Sequence, residues 1–221
     1  MAVKTRDRIL DRALELFNDQ GERAVTTNHI AADLGISPGN LYYHFRNKDE
    51  IILALFQRLI DSIATRITVP DDRPMDFQDK RIFIEAALAG MWEFRFIYRD
   101  VHGVMNRSNE LRAVYQQFAR LSLQTLEGIV TGLVSSGVMR VQEHEVEALA
   151  LNNFMVLSSW QELVTAAFLK EGEVLPKQLF RRAFYQILLM DRPYISDAAE
   201  SEFKELLSEY YVPMSILRQK I

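Results

Sequence analysis

Apolar residues recur along most of this chain at spacings of three and four, which is the period of an amphipathic α-helix. The first such segment runs from residue 5 to about residue 20, where Gly21 ends it. Its broad apolar face consists of Ile9, Leu10, Ala13, Leu14, Leu16 and Phe17. The same spacing predicts longer helices over residues 48–67, 77–98, 111–134, 144–170, 176–190 and 197–211. No segment alternates like a convincing strand, so the sequence predicts an all-α protein.

Two short helices joined by a tight turn are predicted between residues 26 and 46. Thr26 is a suitable N-cap for the first, and Gly35 supplies the left-handed residue that ends it. Ser37 followed by Pro38 starts the second, because serine caps a helix and proline fits its first position. The residues expected to face inward are Ile30, Ala31, Leu34, Leu41 and Phe45. This pattern is typical of a helix-turn-helix whose second helix enters the major groove of DNA.

The motif at positions 26 to 48 reads Thr-Thr-x-x-Ile-Ala-x-x-Leu-Gly-Ile-Ser-x-Gly-x-Leu-Tyr-x-His-Phe-x-x-Lys. It resembles the DNA-binding domain of the tetracycline-repressor (TetR) family over about residues 5–60. Beyond that stretch the likeness rests on length and helical character. The resemblance implies an all-α fold with an N-terminal three-helix DNA-binding domain and a larger helical ligand-binding and dimerisation domain. We expect the first at residues 1–50, extended by the helix 48–67, and the second at residues 51–221.

The resemblance also implies roles for individual residues of the motif. Side chains near base edges are expected to be Ser37, Pro38, Gly39, Asn40, Tyr43 and His44. Phosphates are expected at Thr26, Thr27, Tyr42 and Lys48, with Asn28 a weaker candidate for base or phosphate. Without the resemblance, solvation would be the favoured interpretation of Lys48, although its charge opposes the dipole of the helix that it begins.

The second helix of the motif has an uncharged recognition surface. No Lys or Arg lies between residues 24 and 45, so this helix cannot make the bidentate contact of arginine with guanine. Asn40 is the best polar group for direct readout, since asparagine pairs with adenine. Residues 34–48 also contain no acid, while Arg46 and Lys48 are present. We therefore expect modest affinity for DNA of unrelated sequence.

Composition narrows the class of protein further. The chain has 221 residues and a formal charge of −4, and its first 60 residues contain equal numbers of acidic and basic side chains. It has no cysteine, which excludes disulfides and thiolate chemistry. The charged N-terminus does not resemble a signal peptide, and no apolar run approaches the about 20 residues that span a bilayer. A cytoplasmic protein is expected.

Nothing in the sequence indicates an enzyme, a metal site or a cofactor. The histidines are scattered at His29, His44, His102 and His144, without a second ligand at helical spacing. There is no glycine-rich phosphate loop and no nucleophile elbow. The acids around His144 are explained by the positive end of a helix.

The region after residue 76 is rich in bulky apolar side chains, and residues 99–107 are predicted to be an irregular break. Each bulky residue is most simply part of the core. Together they also fit an apolar pocket with a few polar groups, and the resemblance implies a small molecule there whose binding weakens DNA affinity. The candidate ligand-binding residues are Trp92, Phe96, Arg99, His102, Asn106, Phe154 and Trp160.

Pairing of two chains is expected because one short recognition helix offers a small contact with DNA. The helices 144–170 and 176–190 carry apolar residues on more than one side and are the candidate interface, through Leu149, Leu157, Leu179, Ala183, Phe184 and Ile187. Alternatively, these helices are interior and the helix 197–211 covers them. The functional prediction is a homodimeric repressor released from a palindromic DNA operator by a small, largely apolar ligand. The alternative is a ligand-independent DNA-binding or scaffold protein whose C-terminal domain only dimerises.

Overall fold

The computed structural model describes residues 4–70, 72–170, 173 and 175–218, and within them the fold is all-α. The predicted fold class is therefore confirmed. Two 3-10 helices, Arg192–Tyr194 and Asp197–Ala199, lie between Asp191 and Glu200. The helices are α1 (Thr5–Gln20), α2 (Thr27–Asp33), α3 (Pro38–His44), α4 (Lys48–Arg66), α5 (Phe77–Glu93), α6 (Arg95–Arg99), α7 (Val101–Met105), α8 (Asn109–Ser135), α9 (Glu143–Phe168), α10 (Lys177–Asp191), α11 (Glu200–Glu209) and α12 (Ser215–Arg218).

Local hydrogen bonds fix the ends of the short helices. The Thr26 side chain accepts the backbone N–H of His29 at the start of α2, and Ser37 accepts that of Asn40 at the start of α3. Gly35 has a φ of 65°, which glycine adopts without the penalty that a Cβ imposes. These ends therefore follow the capping pattern that the sequence predicts.

The predicted helix 77–98 is wrong in one respect, because the structure breaks it at Phe94, between α5 and α6. The cause is Asn18 of α1, a buried amide. Its Nδ2 donates to the carbonyl of Glu93 at 2.8 Å, and its Oδ1 accepts the N–H of Phe96 at 3.0 Å. The side chain thus replaces the helical partners of both backbone groups.

The predicted irregular break at residues 99–107 is also corrected, since α7 lies within it. Asp100 caps this helix, because its Oδ1 accepts the backbone N–H of Gly103 at 2.9 Å. An aspartate directly before a helix satisfies an N–H that has no partner inside the helix.

The chain divides into two compact units, the first formed by Met1–Ser62 with Glu93–Gln117 and the second by Ile63–Trp92 with Phe118–Ile221. The core of the first unit includes Phe17 and Phe96, whose ring centroids are 5.3 Å apart. The second unit has an apolar cluster around Met75, Phe83, Ile129, Val130, Leu133, Met139, Val141 and Leu149.

In the second unit, α9 packs along α10, and α11 also contacts α10. Phe184 of α10 lies against Tyr210 beyond the end of α11, with ring centroids 6.5 Å apart. A single antiparallel bridge joins Met139 and Ile195, and the described residues contain no β-strand. None of the described helices is both long enough and apolar enough to cross a membrane.

Candidate nucleic-acid interface

Helices α2 and α3 pack against each other through apolar residues and leave their polar residues outside. Ile30, Ala31 and Leu41 are fully buried, and Phe45 is nearly so. A short helix that buries one edge in this way has a fixed orientation, so its opposite face is presented as a rigid surface.

The outer surface of α3 contains most of the predicted DNA contacts. Tyr43 is 85% exposed, and Tyr42 is also exposed. The other exposed members of the predicted set are Thr26, Asn28, Ser37, Pro38, Gly39 and Asn40. His44 is half-buried at the helix end, where its ring meets the Tyr43 ring edge-on.

Thr27 and Tyr42 come together although fifteen residues separate them. The threonine hydroxyl lies 3.2 Å from the tyrosine hydroxyl. Either oxygen can donate, so the pair forms a neutral hydrogen-bonding group at the junction of α2 and α3. Two predicted phosphate contacts thus share one place on the surface.

Electrostatically, the two helices carry little net charge. Their one acid is Asp33, and Arg12 of α1 pairs with its carboxylate through Nε and through Nη2, the latter at 2.8 Å. The Arg12 hydrogen bond holds the pKa of Asp33 below its usual range, so the pair stays ionised at neutral pH. The acid is neutralised locally, which reduces its repulsion of a phosphate backbone.

Arg46 is the most exposed cation beside α3 and was not among the predicted contacts. Its side chain is 88% exposed and lies 3.9 Å from Glu50, a loose pair. Its backbone N–H donates to the Glu50 carboxylate at 2.8 Å. The sequence signal for an exposed cation at residue 46 is an arginine that directly follows the inward-facing Phe45.

Lys48 does not have the free ammonium group that a predicted phosphate contact requires. Its Nζ donates to the carbonyl of Glu22 at 2.6 Å and to that of Val25 at 3.1 Å. It also lies 3.3 Å from the Glu22 carboxylate, and the lysine side chain is 18% exposed. These three contacts of the Lys48 ammonium group therefore all lie within the first unit.

Two protein-family models match this chain. Residues 9–55 match the family model described as bacterial regulatory proteins of the tetR family. Residues 58–203, more than half of the chain, match the TetR model described as a bacterial transcriptional repressor. The chain belongs to the TetR family. The resemblance inferred from the motif at residues 26–48 is thereby confirmed.

Individual relatives of this TetR-family chain are also regulators. An HTH-type transcriptional regulator of Staphylococcus aureus strain bovine RF122 / ET3-1 is 29% identical over 52% of this chain. The tetracycline repressor protein class C of Escherichia coli is 33% identical over 43% of it. The aligned parts cover 64% and 41% of those two proteins, so this chain spans less than two thirds of either.

Two solved structures share the fold of this chain. A TetR-family transcriptional regulator from Marinobacter aquaeolei VT8 has a TM-score of 0.85 and 37% identity, and the match covers 95% of this chain and 100% of that one. SmeT in complex with triclosan has a TM-score of 0.59 and 22% identity over 95% of both chains. The second likeness concerns the fold alone.

The predicted ligand-binding residues are divided between the two units of the chain. Phe96, Arg99, His102 and Asn106 lie in the first unit, and the Arg99 Nη2 donates to the Asn18 carbonyl at 3.0 Å. Burial lowers the pKa of the Arg99 guanidinium. The others, Trp92, Phe154 and Trp160, lie in the second unit. The Trp92 ring packs edge-on against Phe180, and the Trp160 Nε1 donates to the Leu179 carbonyl at 2.7 Å.

The predicted dimer residues need a correction. Leu149, Leu179, Ala183, Phe184 and Ile187 are at most 5% exposed within a single chain. Leu149 packs in the apolar cluster around Leu133, whereas the other four lie on α10, which contacts both α9 and α11. They are therefore core residues, as in the alternative that these helices are interior. Only Leu157 of this set is half-buried. The large apolar residues that α9 exposes are instead Leu151, Met155, Leu163 and Phe168.

Proposed function

We propose that this protein is a transcriptional repressor that binds operator DNA as a homodimer and is released by a small ligand. The outer face of α3 carries this proposal. Asn40 and Tyr43 are exposed on this face, and the buried Leu41 and Phe45 anchor the helix. A rigid, exposed helix of this kind fits the major groove.

A homodimer is proposed because one such helix makes a small contact with few positive charges. Two copies held about one helical turn of DNA apart, roughly 34–36 Å, would read a palindromic site and combine their binding free energies. The exposed apolar residues of α9 support the pairing of two chains.

Release by a ligand is proposed from buried polar groups in the second unit. Asn153 and Gln161 of α9 are buried, and the carbonyl oxygen of each amide has no hydrogen-bond partner among the described residues. An unpaired buried polar atom is costly, so a bound molecule with hydrogen-bond donors would be stabilised there. The ligand would combine such donors with an apolar body.

The DNA-binding part of the proposed function is tested by measuring whether Asn40 reads a base pair directly. Duplexes selected by the wild-type protein from a random pool would be measured by fluorescence anisotropy, together with single-base variants. We expect Asn40→Ala to lower affinity for the preferred site by about 1–3 kcal/mol and to change the ranking of variants at one base pair per half-site.

Arg46→Ala is the matched control, because it removes a charge without a base contact. It should weaken all duplexes alike and leave their ranking intact. An unchanged ranking with Asn40→Ala would refute direct readout by this residue. Adding a metabolite extract to the wild-type complex tests release, and a complex that no extract dissociates would favour the ligand-independent alternative.

A further inference from the structure

The ammonium group of Lys48 has three N–H donors, and the structure places three acceptors around it. The carbonyl of Glu22 lies at 2.6 Å, the carbonyl of Val25 at 3.1 Å and the Glu22 carboxylate at 3.3 Å. Two of these contacts are hydrogen bonds and the third is an ion pair, and all three engage the ammonium group within the protein. The lysine therefore bridges the first turn of α4 and the turn between α1 and α2.

Glu22 is itself buried, with a side chain 6% exposed. Its carboxylate also lies 3.3 Å from Nη1 of Arg107, whose Nε is 2.6 Å from the Asp49 carboxylate. Two cations and two anions thus form a network without net charge, all within the first unit. Such a network fixes positions but contributes little attraction to a distant phosphate.

We propose that Lys48 is a positioning residue for DNA binding and not a phosphate contact. It fixes residues 22–25, and the next residue is Thr26, the cap of α2. Through this turn Lys48 sets the place of Thr26 and Thr27, the neutral groups that reach the DNA. The inference rests on the proposed DNA-binding function.

Salt dependence separates the two roles. Each phosphate contact by a cation adds about 0.9 to the slope of log affinity against log salt, because it releases a counterion. Threonine contacts release none. We expect Lys48→Met to weaken binding of a wild-type-selected duplex about tenfold at every salt concentration, with an unchanged slope. Arg46→Ala, the exposed neighbouring cation, should reduce the slope by about 0.9 per subunit.

A second readout follows the turn directly in the free protein. In α2 the N–H groups of His29 and Ile30 donate to the Thr26 hydroxyl and carbonyl. Lys48→Met and Glu22→Gln should each accelerate hydrogen exchange at these two amides while the interior amides of α1 stay protected. Acceleration confined to these amides distinguishes loss of positioning from general destabilisation, which would affect α1 as well.

Each outcome decides between the proposals. A slope reduced by Lys48→Met as much as by Arg46→Ala would make Lys48 a phosphate contact and overturn the inference. Wild-type affinity and unchanged exchange in Lys48→Met would overturn it too, as would exchange accelerated equally throughout α1. If the wild-type protein selected no duplex, the proposed function would fail, and with it the role of Lys48 in DNA binding, whereas the exchange data would still report on the turn.

Discussion

At the scale of single residues, Asp79 carries the densest set of hydrogen bonds at the start of α5. Its carboxylate accepts both Nη groups of Arg73, at 2.6 and 2.7 Å, and the backbone N–H of Asp76 at 3.0 Å. The Asp79 N–H donates in return to the Asp76 carboxylate. The hydrogen bond from Arg73 lowers the pKa of Asp79, and burial opposes this shift.

This shift predicts a pH-dependent contribution to stability. Because the folded-state pKa of Asp79 lies below its unfolded value, the stabilisation is fully present above about pH 4 and is lost as the pH falls through the folded-state pKa. We expect Asp79→Asn to lower the free energy of unfolding at pH 7 by about 2 kcal/mol and to weaken its decline in acid. Urea unfolding between pH 7 and pH 3 measures both.

Glu202→Gln is the control, since Glu202 is exposed on α11 and this substitution should leave the stability nearly unchanged. A decline in acid that is equally steep in Asp79→Asn and wild type would show that other carboxylates determine it.

Contacts of individual side chains were predictable only where both partners are close in the sequence. The caps at Thr26 and Ser37 and the left-handed Gly35 follow from local rules, because their partners lie within three or four residues. Lys48 looks in the sequence like a cation at the edge of a DNA-binding motif. Its acceptors at Glu22 and Val25 are more than twenty residues away, and no local pattern indicates them.

At the scale of helices, a buried ion pair joins the start of α5 to the end of α10. Lys80 Nζ contacts the Asp191 carboxylate, and both side chains are almost fully buried. The other oxygen of Asp191 has no hydrogen-bond partner among the described residues. Such a pair is expensive to break from one side, because the remaining charge stays buried.

We therefore expect Lys80→Met to lower the free energy of unfolding by about 3–5 kcal/mol, and the double variant Lys80→Met with Asp191→Leu to recover most of it. Arg81→Met is the matched control. Arg81 is adjacent in α5, but its pair with Glu209 of α11 is exposed, so the expected cost is below about 1 kcal/mol. Urea unfolding at pH 7 compares all three. A double variant no more stable than Lys80→Met would contradict this reasoning.

Helix positions were largely predictable because the amphipathic period is strong, but the break at Phe94 was not. The apolar spacing continues without interruption through residues 77–98. What interrupts the helix is the Asn18 amide, which replaces two backbone partners from a distance of more than seventy residues. Periodicity reports which face is apolar and contains no information about such a competitor.

At the scale of the whole molecule, the sequence showed excess apolar surface on α9 and α10 but not which part a single chain covers. Phe184 looked available for a partner, yet Tyr210 lies against it. The sequence also did not show that residues 93–117 belong to the first unit. Both facts depend on which helices pack against each other. The apolar spacing of a helix shows only which of its own faces is apolar, and not which helix covers that face.

A different surface of α9 is exposed within a single chain. Leu151, Met155 and Leu163 are 44%, 51% and 61% exposed. At 3.6 residues per turn these three positions fall within about a third of the helix circumference. Exposed large apolar residues along one side of a helix are typical of a surface that another chain covers.

Leu163 is therefore where the proposed dimer is best tested, since substitution of Phe184 would test folding instead. We expect Leu163→Glu to place a charge in the paired interface and to yield helical monomers, with operator affinity reduced at least tenfold because one recognition helix then binds alone. Ile82→Glu changes an exposed apolar residue of α5 in the same way and should remain dimeric. Sedimentation velocity at micromolar concentration, with circular dichroism for helix content, measures the outcome. A wild-type monomer would exclude the homodimer, and a dimeric Leu163→Glu would place the interface elsewhere than on this surface of α9.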